Sequence, residues 1–89
     1  MSRPGLISGT VVGHTGRPVA GARVYFVGGP GSFPDVAALT GDDGRFALSA
    51  PAAGTYEVQV QADGFLQQTK QVPLDAGEKQ TIRIELHEA

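Results

Sequence analysis

Thr55-Tyr56-Glu57-Val58-Gln59-Val60-Gln61-Ala62 decides the fold, because apolar and polar side chains alternate along it without a break. Successive side chains of a β-strand point to opposite faces. Tyr56, Val58, Val60 and Ala62 therefore make one face to bury, and Glu57, Gln59 and Gln61 make the other. A single strand cannot hide its own apolar face, so the flanking sequence must supply further strands. Downstream, Asp63-Gly64 reads as a turn into Phe65 to Val72, a polar segment suited to a sheet edge. Pro73 to Gly77 is a connection, and Lys79 to Leu86 is a last strand that buries Ile82, Ile84 and Leu86. Upstream, Pro51-Ala52-Ala53-Gly54 breaks the pattern, and Arg45 to Ser49 turns Phe46 and Leu48 inward. Gly41-Asp42-Asp43-Gly44 carries the Asp-Gly hairpin signal and is expected to pair that strand with a short one over Val36 to Thr40.

Before it, Gly28-Gly29-Pro30-Gly31-Ser32-Phe33-Pro34 is the longest loop, since proline lacks a donor and glycine favours no one backbone state. Gly21 to Val27 has Ala22, Val24 and Phe26 inward, with Arg23 and Tyr25 outward. His14 to Pro18 is a turn, and Leu6 to Val12 sets Ile7, Gly9 and Val11 on one face. A glycine in the middle of an inward row predicts close approach by a neighbouring strand or ring. The reading is all-β: seven short strands, punctuated by 13 glycines and 6 prolines, packed as a two-sheet sandwich. No window sustains a helical period.

The 89 residues suit one domain over 5–87, preceded by a flexible amino-terminal tail over 1–4. Without cysteine there is neither a disulfide nor a thiolate metal site, so packing and backbone ladders must carry stability. The net charge is −2 and the seven basic residues are scattered, which argues against nucleic acid as a partner. Met1-Ser2-Arg3-Pro4-Gly5 is unlike a secretory signal, and no apolar run approaches the roughly 18 residues that span a bilayer, so no membrane insertion is expected. The chain is expected in the cytoplasm if complete as given, and outside it or in the cell envelope if it is part of a larger exported protein.

Ile7-Ser8-Gly9-Thr10-Val11, Gly16-Arg17-Pro18-Val19-Ala20-Gly21-Ala22-Arg23-Val24 and Thr40-Gly41-Asp42-Asp43-Gly44-Arg45-Phe46 occur in that order. Pro51-Ala52-Ala53-Gly54-Thr55-Tyr56-Glu57-Val58 and Ala62-Asp63-Gly64-Phe65 follow. Together they resemble the carboxypeptidase regulatory-like domain family, from about Gly5 to Leu86. The resemblance implies a transthyretin-like, seven-stranded Greek-key β-sandwich. It also implies an accessory module that supports folding, spacing or binding in larger exported or cell-envelope proteins. The Gly28–Pro34 insert, followed by Asp35 to Thr40, is longer than a bare hairpin and is where an individual function is expected.

No catalytic centre is expected. Ser8, Ser32 and Ser49 lack a nucleophile elbow, and there is no cysteine. The hydrolase found on transthyretin-like folds ends in Tyr-Arg-Gly-Ser, whereas this chain ends Glu85-Leu86-His87-Glu88-Ala89 and has only His14 and His87, so a hydrolase of that type stands as a third alternative that requires both histidines and an arginine to meet in a cleft. No metal and no cofactor are expected: Asp42, Asp43, Asp63 and Asp75 fall in turns, where aspartate caps neighbouring amides. An internal Lys–Asn crosslink is excluded because the chain has no asparagine. The expected partner surface comprises Tyr25, Ser32, Phe33, Asp35, Glu57, Gln59 and Gln61. It would present the 28–34 loop to a protein partner or to the remainder of a larger polypeptide. The alternative is carbohydrate, held by an aromatic platform of Tyr25 and Phe33, with Phe65, or by the glutamine stripe. Tyr56 is expected to pack inward with its hydroxyl satisfied at the rim. The protein is expected to be a monomer or an edge-to-edge dimer.

Overall fold

The alternating run folds as expected and sits inside a sheet. The structure, a computed structural model, describes residues 5–30 and 37–89. Its strands are β1 (Gly5–Gly13), β2 (Arg23–Gly28), β3 (Ala38–Leu39), β4 (Arg45–Ala50), β5 (Gly54–Gln61), β6 (Gln68–Leu74) and β7 (Lys79–Leu86). They form a three-stranded sheet in the order β4-β1-β7 and a four-stranded sheet in the order β3-β2-β5-β6. The described residues contain no helix. Expected residues 1–4 of the tail, and 31–36 of the second loop, lie outside the described residues.

The inward rows meet between the sheets. Ile7, Val11 and Leu86 from one sheet, and Val24, Tyr56, Val58 and Val60 from the other, are almost wholly buried. Burying each such side chain contributes about 1.5–3 kcal/mol relative to leaving it in water. Phe26 and Tyr56 pack with ring centroids 4.7 Å apart and planes tilted by 39°. The Tyr56 hydroxyl donates to the Ala52 carbonyl at 2.8 Å and accepts the Ala52 N–H at 3.1 Å, so the Pro51–Gly54 connection satisfies it at the rim.

Gly9 explains itself in the parallel pairing of β1 with β7, where it stands opposite Ile82. A Cβ at Gly9 would run into the Ile82 carbonyl oxygen. The strand, not a ring, makes the close approach.

The Asp43-Gly44 turn corrects the sequence reading. It is not a hairpin, because β3 belongs to the four-stranded sheet and β4 to the other. The Gly44 N–H bonds to the Gly41 carbonyl at 2.9 Å, while the Gly44 carbonyl accepts Val11 N–H at 2.8 Å and so starts the β1–β4 ladder. Gly44 has φ +75°, and a Cβ there would press on the Val11 carbonyl, so this sheet-to-sheet corner needs glycine for reasons unrelated to a hairpin. The Asp43 carboxylate accepts the Arg45 N–H at 3.0 Å, the turn role expected of it. Pro73 also differs from expectation: it lies within β6, opposite Thr55, rather than in the following connection. An edge strand tolerates the missing N–H.

Thr40 holds the crossing from β3 to β4. It is the buried polar residue among the described residues, 5% exposed. Its Oγ1 donates to the Val19 carbonyl at 2.6 Å and accepts the Ala22 N–H at 2.9 Å. Its backbone bonds both ways to the same corner, Gly21 N–H to the Thr40 carbonyl at 2.9 Å and Thr40 N–H to the Ala22 carbonyl at 3.0 Å. At the other side of the sandwich, Leu66 N–H bonds to the His87 carbonyl at 2.8 Å and Ala89 N–H to the Gly64 carbonyl at 3.0 Å, joining the β5–β6 turn to the chain after β7.

Two stability outcomes follow, both read from the urea unfolding midpoint at constant m-value. Thr40→Val orphans the Ala22 N–H and the Val19 carbonyl and should cost about 1–3 kcal/mol, whereas Thr40→Ser should keep most of the stability. Gly9→Ala should cost about 3 kcal/mol, at the upper end of overpacking, because its Cβ meets backbone that cannot turn aside. A Gly9→Ala protein as stable as the parent would refute the close approach.

Candidate functional site

The candidate surface is the outer face of the four-stranded sheet, and strand parity builds it. The side chains that β2 and β5 do not send inward stand in register on the other side: Tyr25 faces Gln59, and Arg23 faces Gln61. Beyond β5, Gln59 faces Thr69 and Glu57 faces Gln71. Beyond β2, Arg23 faces Leu39. A β-bulge between Phe26 and Gly28 brings Gly28 opposite Glu57.

Hydrogen bonds fix two of the amides. Gln59 Nε2 donates to the Tyr25 hydroxyl at 2.6 Å, and Gln61 Nε2 donates to Gln67 Oε1 at 2.7 Å. Tyr25, Glu57, Gln59 and Gln61 are all half-buried by their neighbours, whereas Leu39 is 66% exposed and Val27 is 42% exposed. The face thus has an aromatic centre held by an amide, an exposed Leu39 beside Arg23 and an exposed Val27 further along β2, and polar groups along β5 and β6.

Four of the expected surface residues, Tyr25, Glu57, Gln59 and Gln61, are brought together here. Ser32, Phe33 and Asp35 lie outside the described residues. Phe65 does not join Tyr25: it lines two grooves at one end of the sandwich, and Tyr25 lines neither. One groove, of about 310 Å³, runs between Gly21, Arg23, Gln61, Asp63, Phe65 and Gln67. The other, of about 560 Å³, lies under the β1–β2 turn and includes His14, Arg17, Phe65 and Glu88. His14 and Arg17 share that groove, but His87 is not among its lining residues. Among the described residues no group of three or more metal-ligating side chains is gathered.

Sequence reasoning missed Gln67 and Leu39 as members of the face. Gln67 precedes β6, and its partnership with Gln61 depends on the turn at Asp63-Gly64. Leu39 looks like a core residue until β3 is known to be two residues long, with Ala38 on the inner side.

No curated protein matches the sequence. Among solved structures, the chain is similar to the major pilin subunit BcpA of Bacillus cereus, with a TM-score of 0.79 and 14% identity, over 98% of this chain and 30% of that one. It is similar to the chlorocatechol 1,2-dioxygenase of Pseudomonas putida, with a TM-score of 0.76 and 15% identity, over 98% of this chain and 61% of that one. A cohesin–X–dockerin complex of Acetivibrio cellulolyticus gives a TM-score of 0.67 and 25% identity, over 91% of this chain and 56% of that one. The chain spans less than two thirds of each of these proteins, and the first two likenesses concern the fold alone. The carboxypeptidase regulatory-like domain matches residues 6–87, across the strands and turns described above, and the chain belongs to that family.

Proposed function

We propose that the chain is a non-catalytic accessory module that docks a protein partner, or another part of its own polypeptide, through the outer face of the four-stranded sheet. The observation that carries this reading is the Tyr25–Gln59 hydrogen bond of 2.6 Å at the centre of that face. A tyrosine already held in place loses little freedom on binding, and tyrosine and arginine are the residues most enriched at interface centres. Leu39 and Val27 beside it offer apolar area that a partner would cover. β2 ends at Gly28, one residue after Val27, so the 28–34 loop starts from that end of the same sheet. The non-catalytic half of the proposal is supported by Ser8 and Ser49 standing in regular strands, not at a turn, and by the larger groove being lined by His14 and Arg17 without His87.

Capture of partners from the producing cells tests the reading, with three baits compared: the parent domain, Tyr25→Ala/Gln59→Ala, and a chain shortened over 28–34. Partner recovery should fall about tenfold with the double variant, the loss expected on removing one central anchor. Equal recovery by all three baits would remove the assignment.

A second reading, carbohydrate, is favoured by the smaller groove. Its volume of about 310 Å³ is lined by the Phe65 ring, the paired amides of Gln61 and Gln67, and the charged ends of Arg23 and Asp63. That mixture of aromatic surface and planar hydrogen-bonding groups suits a sugar ring. Titrating the ¹⁵N-labelled domain with cellohexaose, xylohexaose and maltohexaose should shift the Gln61, Phe65 and Gln67 amides if this holds. Unmoved spectra with all three at about 10 mM, the limit of weak binding, would discard it.

A further inference from the structure

A sandwich has four sheet edges, and three of them here carry features that discourage strand addition. β3 is two residues long. β6 carries Pro73 and Lys70, both edge-blocking residues. β7 is engaged at one point along its edge, where Lys70 Nζ reaches across from β6 to the Arg83 carbonyl at 3.4 Å; it carries the exposed charges of Arg83 and Glu85, and the chain beyond it is tied at His87 and Ala89 to Leu66 and Gly64.

β4 differs. The bond from Val11 N–H to the Gly44 carbonyl, together with the β1–β4 register, turns the backbone groups of 44, 46, 48 and 50 toward β1. Those of Arg45, Ala47 and Ser49 therefore point to the free edge. Arg45 is already satisfied, its N–H by the Asp43 carboxylate at 3.0 Å and its carbonyl by Gly41 N–H at 3.2 Å. Ala47 and Ser49 have no hydrogen-bond partner among the described residues, and their exposed side chains are small and uncharged.

We infer that β4 is a docking edge and that its occupant is the β4 of a second copy of this chain. The edge is self-complementary. In an antiparallel pair about a two-fold axis at Leu48, Ala47 faces Ser49 of the second copy and Ser49 faces its Ala47. Each copy then supplies two donors and two acceptors, and all are used. The same register sets Phe46 opposite Ala50 and Leu48 opposite its own counterpart on the inner face, extending both cores. No like charges are opposed, because the one charged side chain of the strand, Arg45, faces Pro51 of the other copy. A register moved by two residues would bring the satisfied groups of Arg45, or the missing N–H of Pro51, against Ala47 or Ser49 and lose bonds. The two three-stranded sheets become one continuous sheet of six strands.

So few bonds give a weak dimer, with a dissociation constant of about 100 µM. Sedimentation of the parent protein should pass from one chain to two between about 10 µM and 1 mM, a range centred on that constant. Over the same range, amide exchange at Ala47 and Ser49 should slow while that at Thr81 and Glu85 stays constant. Ala47→Lys/Ser49→Lys should remain monomeric throughout, with unchanged circular dichroism, and Thr81→Lys should dimerise like the parent. A monomer at the highest concentration overturns the inference. So does a dimer that survives Ala47→Lys/Ser49→Lys, or one that Thr81→Lys abolishes. Should the lysine pair prevent folding, the exchange rates of the parent decide: unslowed Ala47 and Ser49 amides refute β4 as the edge. Protection that appears only when an unrelated extended peptide is added refutes the second copy as its occupant.

Discussion

Each time this chain passes from one sheet to the other, backbone groups leave a ladder, and the crossing at Thr40 shows how that is met. The Thr40 hydroxyl and its own N–H and carbonyl engage four groups of the Val19–Ala22 corner within 3.0 Å. Two crossings, β1 to β2 and β3 to β4, are thereby locked to each other in a dry place where an unpaired amide would be expensive. Everything on the β3–β4 side depends on this. It places β3 beside β2 with Leu39 outward, and it fixes where β4 can begin.

The opposite side of the sandwich is closed by different means. There the β5–β6 turn pairs with the chain after β7, and Lys70 reaches a carbonyl of the neighbouring sheet. Because the sheets have three and four strands, their edges do not match one for one. The longer sheet overhangs at β6, where the inward parity position Lys70 is exposed, not buried. A lysine at such a position discourages strand addition at the cost of little packing.

A pilin, a dioxygenase and a cohesin–X–dockerin complex all contain chains that superpose on this one. The backbone arrangement is therefore compatible with very different roles, and individual character must reside in side chains that do not serve the core. In this chain the outer face with Tyr25 hydrogen-bonded to Gln59 at its centre, and the polar side chains lining the end grooves, are such groups. Both are set on regular strands or short bonded turns, which would spare the proposed docking much of its ordering cost.

Period-two alternation at 55–62 and 79–86, together with Gly and Pro breaks, determined the strand count, the inward rows and the polar edge at β6 from the sequence alone, because side-chain direction in a strand is a local property. It also placed Tyr25, Glu57, Gln59 and Gln61 on outward positions and marked Gly9 as a point of close approach. Which strands neighbour one another was decided only in three dimensions. Asp43-Gly44 has the residues of a hairpin, yet the flanking strands pair with different partners, since a turn fixes the local path and not the sheet that receives it. Likewise, nothing within Arg45–Ala50 distinguishes an inner strand from an edge. That distinction rests on which backbone groups other segments reach, and it exists only once the sheets are assembled.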